Sequence, residues 1–208
     1  MLVVVGSALD TRARNIVAHW GARCAALLSV EDLSKAGWVF AAPPSGSDWA
    51  VIGGELVRPC WITGILTLRA RIYPEELPHV APRDRSYIAA ELNAFLLAWL
   101  AAQPCPVLNR PTPLCLAGPG WRPEQWAHTA ARHSGAGGSG EVTVAGERCF
   151  GSSDRGLQDR TLELARAAGV DLLTAAWENG RLRFASPWPA LDSPAVLEAV
   201  RARLEGHP

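Results

Sequence analysis

The sequence predicts an α/β fold divided into two halves, residues 1–112 and 113–208. Three observations carry that prediction. Short apolar runs alternate with helix-period stretches through the first half, the rhythm of a small α/β layer. One long apolar helix, from about Asp84 to Ala102, closes that half before Pro104 and Pro106 stop it. A Pro- and Gly-rich crossing from Pro111 to Gly120 then leads into a second half in which hairpin signals flank a capped helix.

The elements follow in order. Leu2 to Val5 reads as a first strand, and Asp10 or Thr11 caps a helix that runs through about Trp20. Cys24 to Leu28 is a second strand, Glu31 to Ala36 a helical turn ended by Gly37, and Trp38 to Ala41 a third strand. Trp49 to Ile52 and Leu56-Val57 flank Gly53-Gly54, a pair that supplies the positive φ of a two-residue hairpin turn. Ile62 to Leu68 is β-branched enough for a strand, although a helix is open there, and Tyr73 to Pro78 is a turn-rich connection. In the long helix Ile88, Leu92, Phe95, Leu96 and Trp99 share one side, and Val107-Leu108 is a short strand beyond it.

In the second half Pro123 to Arg132 forms a helix with proline in its first turn. Ser134 to Gly140 reads as a flexible linker or a trimmed loop. Val142 to Ala145 and Arg148 to Phe150 pair across Gly146-Glu147. Asp154 caps a helix that ends at Gly169, a residue able to adopt the left-handed cap. Leu172 to Trp177 and Arg181 to Ala185 pair around Asn179-Gly180, and a last helix starts near Ser193-Pro194 and ends at Gly206.

Composition narrows the functional classes. Lys plus Arg balances Asp plus Glu at 20 each, which leaves no basic footprint for nucleic acid. No apolar run approaches the roughly 18 residues of a membrane span, and the N-terminus lacks the basic segment and cleavage pattern of a secretory signal. The five cysteines are scattered without a CxxC pair, which fits reduced thiols in a cytoplasmic protein. Cys105 and Cys115 are close in sequence, but spacing alone does not decide a disulfide.

Individual candidates for chemistry are few. His128 and His133 are five apart and do not share a helical face as metal ligands at i, i+4 would, so no metal site is expected. Glu91 in the apolar helix is either a buried, perturbed carboxylate or a solvent-facing one paired with Arg83 or Arg85. The Gly-Ser tract lacks the Gly-Lys-Ser/Thr of a phosphate loop. No catalytic nucleophile is assigned. Trp121, Trp126, Trp177 and Trp188 all fall in the second half, where they are either core or anchors for self-association.

The order of these pieces resembles the ATP-grasp peptide ligases of the microviridin (graspetide), RimK-like type. The block from Asp84 to Pro111 resembles the end of their N-terminal domain, in which a Glu-bearing helix leads to a strand and an Asn-x-Pro, here Glu91 and Asn109-Arg110-Pro111. Trp121 to Ala131 resembles the helix opening the ATP-grasp portion, Val142 to Phe150 its strand pair, and Leu164 to Leu172 the late helix and strand before the metal site. The resemblance implies a pre-ATP-grasp-like α/β domain over 1–112 and a shortened α+β ATP-grasp remnant over 113–208.

The departures from the family pattern bear on activity. Phosphoryl chemistry needs cations over the phosphates and carboxylates for magnesium. The chain has a single lysine, Lys35; Arg122 stands where the family carries an early lysine. The nucleotide lid would lie between about Ala131 and Glu141, where the Gly-Ser tract stands. The final Glu-x-Asn falls on Phe184 to Pro187, leaving Asp171 as the one nearby carboxylate.

The resemblance therefore implies a non-catalytic, cofactor-free accessory that binds a peptide or protein partner in a peptide-modification or biosynthetic pathway. Arg58, Arg69, Arg71 and Arg110 are the candidates for lining its binding crevice. The alternatives are a minimal ligase holding ATP and magnesium through Arg122, Arg148, Arg155 and Asp171, or a structural subunit of an oligomer.

Overall fold

The computed structural model describes residues 1–41, 45–133, 137–188, 191 and 193–206. β1 (Leu2–Val5) lies inside a four-stranded parallel sheet, hydrogen-bonded to β2 (Ala25–Leu28) on one side and to β5 (Gly64–Thr67) on the other. β6 (Val107–Leu108) completes the order β2-β1-β5-β6. All four residues of β1 are buried because both sheet faces are covered, which is why the strand reads as a continuous apolar run.

Val3, Val5, Ile65 and Val107 face α2 (Val30–Leu33), the hairpin β3–β4 (Ala50–Ile52 and Glu55–Val57) and α3 (Arg85–Ala101). Leu2, Val4, Leu66 and Leu108 face α1 (Thr11–Trp20) and the last helix, α6 (Pro194–Leu204). The C-terminal helix thus returns to cover the first sheet. Its approach requires Gly64: a Cβ there would stand 2.6 Å from the Leu204 carbonyl oxygen.

The second sheet is antiparallel, in the order β10-β9-β7-β8, from β7 (Gly140–Ala145), β8 (Arg148–Gly151), β9 (Leu172–Glu178) and β10 (Arg181–Ser186). The β9–β10 turn has Asn179 and Gly180 both at positive φ, as the Asn-Gly pair requires. α4 (Pro123–Ala131) and α5 (Arg155–Ala168) pack one face through Trp126, Leu157, Leu164, Val142, Leu173 and Trp177. Asp154 accepts from the N–H groups of Gly156 and Leu157 at the start of α5, and Gly169 closes it in the left-handed conformation.

Two expectations change in three dimensions. The segment after Gly37 forms only an isolated bridge, Val39 to Trp49, rather than a full strand. Trp38 is drawn inward, edge-on to Phe95 and Trp99, with its indole N–H on the Asp32 carbonyl, so its backbone leaves the ladder. Gly137 and Gly138 are structural rather than linking: their carbonyls accept from Arg160 and from the Gly180 N–H, and Gly140 begins β7. Ser134 to Ala136, the rest of that expected linker's start, lie outside the described residues.

The single lysine has a structural partner. The buried carboxylate of Asp32 accepts from Lys35 Nζ at 3.1 Å, from Ser29 N–H and Oγ, and from the N–H groups of Gly53 and Gly54. It joins α2 to the hairpin turn. Burial pushes this carboxyl up, but the bonds from Ser29, Lys35 and Gly54 together outweigh burial and hold its pKa below the ordinary value.

Candidate functional site

The edge strand β10, helix α4 and the crossing segment enclose a cavity of about 750 Å³. Its wall is aromatic. Trp121 and Trp126 meet edge-on with ring centroids 4.8 Å apart, and Phe184 and Trp188 face the same space from β10 and the residues after it. The charged lining residues are Arg71, Arg183 and Glu124, and Arg183 is paired with Glu178 at 3.2 Å. A second hollow of about 800 Å³ runs along the small-residue face of α3, past Ser86, Ala89, Ala90 and Ala94, and is bounded opposite by Tyr73 and Pro113. The two spaces share two residues, Arg71 and Leu114.

The crossing segment is a built structure. Leu116 N–H donates to the Ala70 carbonyl at 2.8 Å, and Gly118 N–H to the Arg110 carbonyl at 3.0 Å. Reciprocal backbone bonds between Thr112 and Cys115 pinch Pro113-Leu114 outward, leaving Leu114 84% exposed on the ridge between the hollows. Cys115 lies buried beneath, and burial pushes its thiol up.

Behind the cavity, Asn109 fastens the two sheets together. Its amide oxygen accepts from the N–H groups of Asp171 (3.0 Å) and Leu172 (2.9 Å). Its amide nitrogen donates to the carbonyls of Leu172 (2.9 Å) and Pro187 (3.2 Å). This buried side chain locates the Pro187-Trp188 wall relative to the first sheet.

Of the four arginines expected to line a crevice, Arg71 lies on the wall of both hollows, and Arg58, Arg69 and Arg110 are not among their lining residues. Arg58 lies over the Trp49 ring at 4.4 Å and donates to the Gly46 carbonyl. Arg69 is half-buried in an ion pair with Glu76. Arg110 is exposed, its guanidinium 3.5 Å from the Cys105 carbonyl oxygen.

The residues of the nucleotide alternative are divided as well. Arg122 precedes α4 and Arg155 begins α5, both exposed. Arg148 and Asp171 line a separate hollow of about 310 Å³ against α6, where Asp171 is paired with Arg203 at 3.0 Å and Arg148 sits over Phe150. Arg122 and Arg155 line neither this hollow nor the two described above.

Other sequence candidates resolve individually. Glu91 is exposed. His128 lies against Arg132 and His133 against Glu163, so the two histidines have separate partners. Trp126 and Trp177 are core, while Trp121 and Trp188 are half-buried on the cavity wall. All five cysteines are free. Among the described residues no helix is long and apolar enough to cross a membrane, and no three His, Cys, Asp or Glu side chains form a metal-binding group.

The sheet face opposite α4 and α5 has a distinct chemistry. Cross-strand register sets Phe150 opposite Thr143, Thr143 opposite Thr174, and Thr174 opposite Ser186, so these four form one row across the sheet. Thr143 and Thr174 share a 2.7 Å hydroxyl bond, and the Ser186 hydroxyl is bonded to the Trp188 backbone. The row carries hydroxyls and a ring, and no carboxylate.

Sequence reasoning missed Leu114 and the α3 face. Both are assembled by the crossing segment docking on Ala70, a long-range contact with no local signal. Trp121 and Trp188 were visible as aromatics near loops, but nothing in the sequence brings them together.

No protein-family model matches the sequence, and no curated protein matches it by sequence. Solved structures do match. The chain is similar to the macrocyclase MdnC bound with precursor peptide MdnA from Microcystis aeruginosa MRC, with a TM-score of 0.72, 10% identity, and 99% of each chain covered. It is similar to the ATP-grasp ligase PsnB complexed with minimal precursor, Mg and ADP, with a TM-score of 0.64, 12% identity, and 98% of each chain covered. It is also similar to a Chryseobacterium gregarium RiPP-associated ATP-grasp ligase in complex with ADP and a leader and core peptide. There the TM-score is 0.64 and identity 7%, over 100% of this chain and 97% of that one. The fold is that of the peptide-modifying ATP-grasp ligases, as the order of elements in the sequence implied.

Proposed function

We propose that this chain is a non-catalytic ATP-grasp-like protein that binds a peptide or protein partner, an accessory factor in a cytoplasmic peptide-modification or biosynthetic pathway. The observation that carries the reading is the aromatic cavity between β10, α4 and the crossing segment, continued past Arg71 and Leu114 along α3. Its walls are apolar and aromatic, and among the described residues Glu124 is the sole carboxylate lining either hollow. Such a surface buries side chains; it does not gather phosphates. The three similar solved structures each hold a precursor, leader or core peptide.

The residues present do not fit a magnesium-nucleotide. Magnesium demands oxygen ligands in near-octahedral array, usually one or two carboxylates with phosphate oxygens. The sheet face instead offers Thr143, Thr174 and Ser186, and Asp171 is engaged by Arg203. Arg148 lines the hollow against α6, whereas Arg122 and Arg155 are exposed at the starts of α4 and α5. In this reading residues 1–112 form the pre-ATP-grasp-like domain and 113–208 a shortened partner without a nucleotide lid, and the partner segment lies between them. Self-association is the weaker reading, because Trp126 and Trp177 are core residues.

Calorimetric titration with magnesium-ATP, with ADP as control, tests the proposal. No heat at millimolar nucleotide is the expected outcome. Micromolar binding that is abolished in Arg122→Ala would replace the proposal with the minimal-ligase reading.

A further inference from the structure

The two hollows are separated by one ridge, and the ridge is made by Arg71 and Leu114. Leu114 is held outward by the Thr112–Cys115 pinch, so its exposure is imposed by the backbone. Arg71 is exposed, and its guanidinium lies 5.8 Å from the Tyr73 ring centroid. Among the described residues it has no carboxylate within ion-pair distance. Its neighbours differ. Arg69 is neutralised by Glu76, and Arg183 on the far rim by Glu178. Among the described residues the trough therefore has two charges without an ion-pair partner, Arg71 at its midpoint between two apolar compartments of different shape and Glu124 on the wall of the aromatic one.

Resting on the peptide-binding reading above, we infer that both hollows form a single bipartite site for an extended segment of a partner protein. That segment carries a large apolar or aromatic side chain, then an Asp or Glu, then small residues. The aromatic side chain enters the compartment walled by Trp121, Trp126, Phe184 and Trp188, where edge and face contacts with rings are available. The carboxylate meets Arg71, which offers a planar pair of donors that no described residue of the chain uses. The small residues lie against the α3 face, where Ala89, Ala90 and Ala94 let a backbone come close.

The carboxylate is a side chain of the segment and not its C-terminus. Arg71 borders both compartments, and a chain ending at the ridge would leave one of them empty. Occupying both compartments with one segment makes the second contact intramolecular, so affinity depends on the ridge being crossed.

A displayed library of random dodecapeptides, selected against the full chain, is the probe. The expected result is enrichment of sequences with an aromatic and an acidic residue at fixed spacing. By calorimetry, changing that acidic residue to its amide should weaken the selected peptide about 10-fold, as expected for a charge-assisted contact. Arg71→Gln should lose the same factor, and the peptide amide should then cost nothing more. Arg71 is exposed, so an unchanged melting temperature in Arg71→Gln shows that the fold is intact. Enriched peptides without an acidic position, or discrimination that persists in Arg71→Gln, would overturn the bipartite site while leaving peptide binding standing. No enrichment of any sequence would overturn both.

Discussion

Replacing Asn109 by alanine tests whether one side chain holds the two sheets in register. In the native structure its amide makes four hydrogen bonds, at 2.9, 2.9, 3.0 and 3.2 Å, to backbone groups of Asp171, Leu172 and Pro187, and it is 1% exposed. Alanine leaves two N–H donors and two carbonyls without this partner; the bonds to Leu172 and Pro187 are buried, and the one from Asp171 is partly so. A buried polar group stripped of its partner costs about 1–3 kcal/mol, and carbonyls tolerate the loss better than N–H groups do. Counting mainly the two donors, the expected destabilisation is about 3–5 kcal/mol. At about 2–4 °C per kcal/mol for a chain of this length, the melting temperature should fall on the order of 10 °C.

Urea denaturation followed by tryptophan fluorescence and by far-UV circular dichroism reads both the magnitude and its locus. The Asn109→Ala curve should shift to lower urea, and the two probes should separate as the sheets uncouple. Asn109→Asp keeps the acceptor but loses the donor, so it discriminates between the two halves of the clip. A destabilisation below about 1 kcal/mol, with both probes still coincident, would refute the reasoning, because it would show these groups are satisfied without the side chain.

Three further outcomes follow from the fold. Asp32 has a folded pKa below its ordinary 3.8, so its stabilising contribution is fully present above that value and is lost as pH falls through the folded pKa. Asp32→Asn should cost about 2 kcal/mol at neutral pH and flatten the acid limb of a stability-versus-pH curve; an unaltered acid limb would remove Asp32 from that role. Gly64→Ala should cost about 1–3 kcal/mol by pushing α6 off the first sheet, measured as faster amide exchange across Pro194–Leu204 than elsewhere. Uniform exchange would show that the helix end yields without strain. A thiol reagent at pH 8 should modify exposed Cys24 and Cys60 rapidly; Cys105, Cys115 and Cys149, whose thiols are pushed up by burial, should react slowly until denaturant is added. More than two fast thiols would mean that the core opens readily.

The elements of this chain were legible because their signals are local. Asp10 and Asp154 cap helices that begin at the next residue, Asn179-Gly180 makes its hairpin, and Gly169 ends its helix, all through forces acting within a few residues. The order of those elements also carried the ATP-grasp resemblance, although no single motif was strong. Arg71 was one of four arginines offered by the sequence as candidates for a binding crevice, and its distinction from Arg58, Arg69 and Arg110 was not legible there. That distinction depends on which carboxylate or ring each guanidinium meets, and Glu76, the partner of Arg69, is brought to it by a turn seven residues on.

Tertiary structure alone decided the rest. Helix α6 crosses back to cover the first sheet, Asn109 reaches more than 60 residues to fasten the second, and the crossing segment docks on Ala70 to raise Leu114 between two hollows. Local sequence determines backbone conformation through sterics and short-range hydrogen bonds. A cavity exists only where surfaces distant in sequence stop short of filling the space between them, and no local rule encodes that remainder.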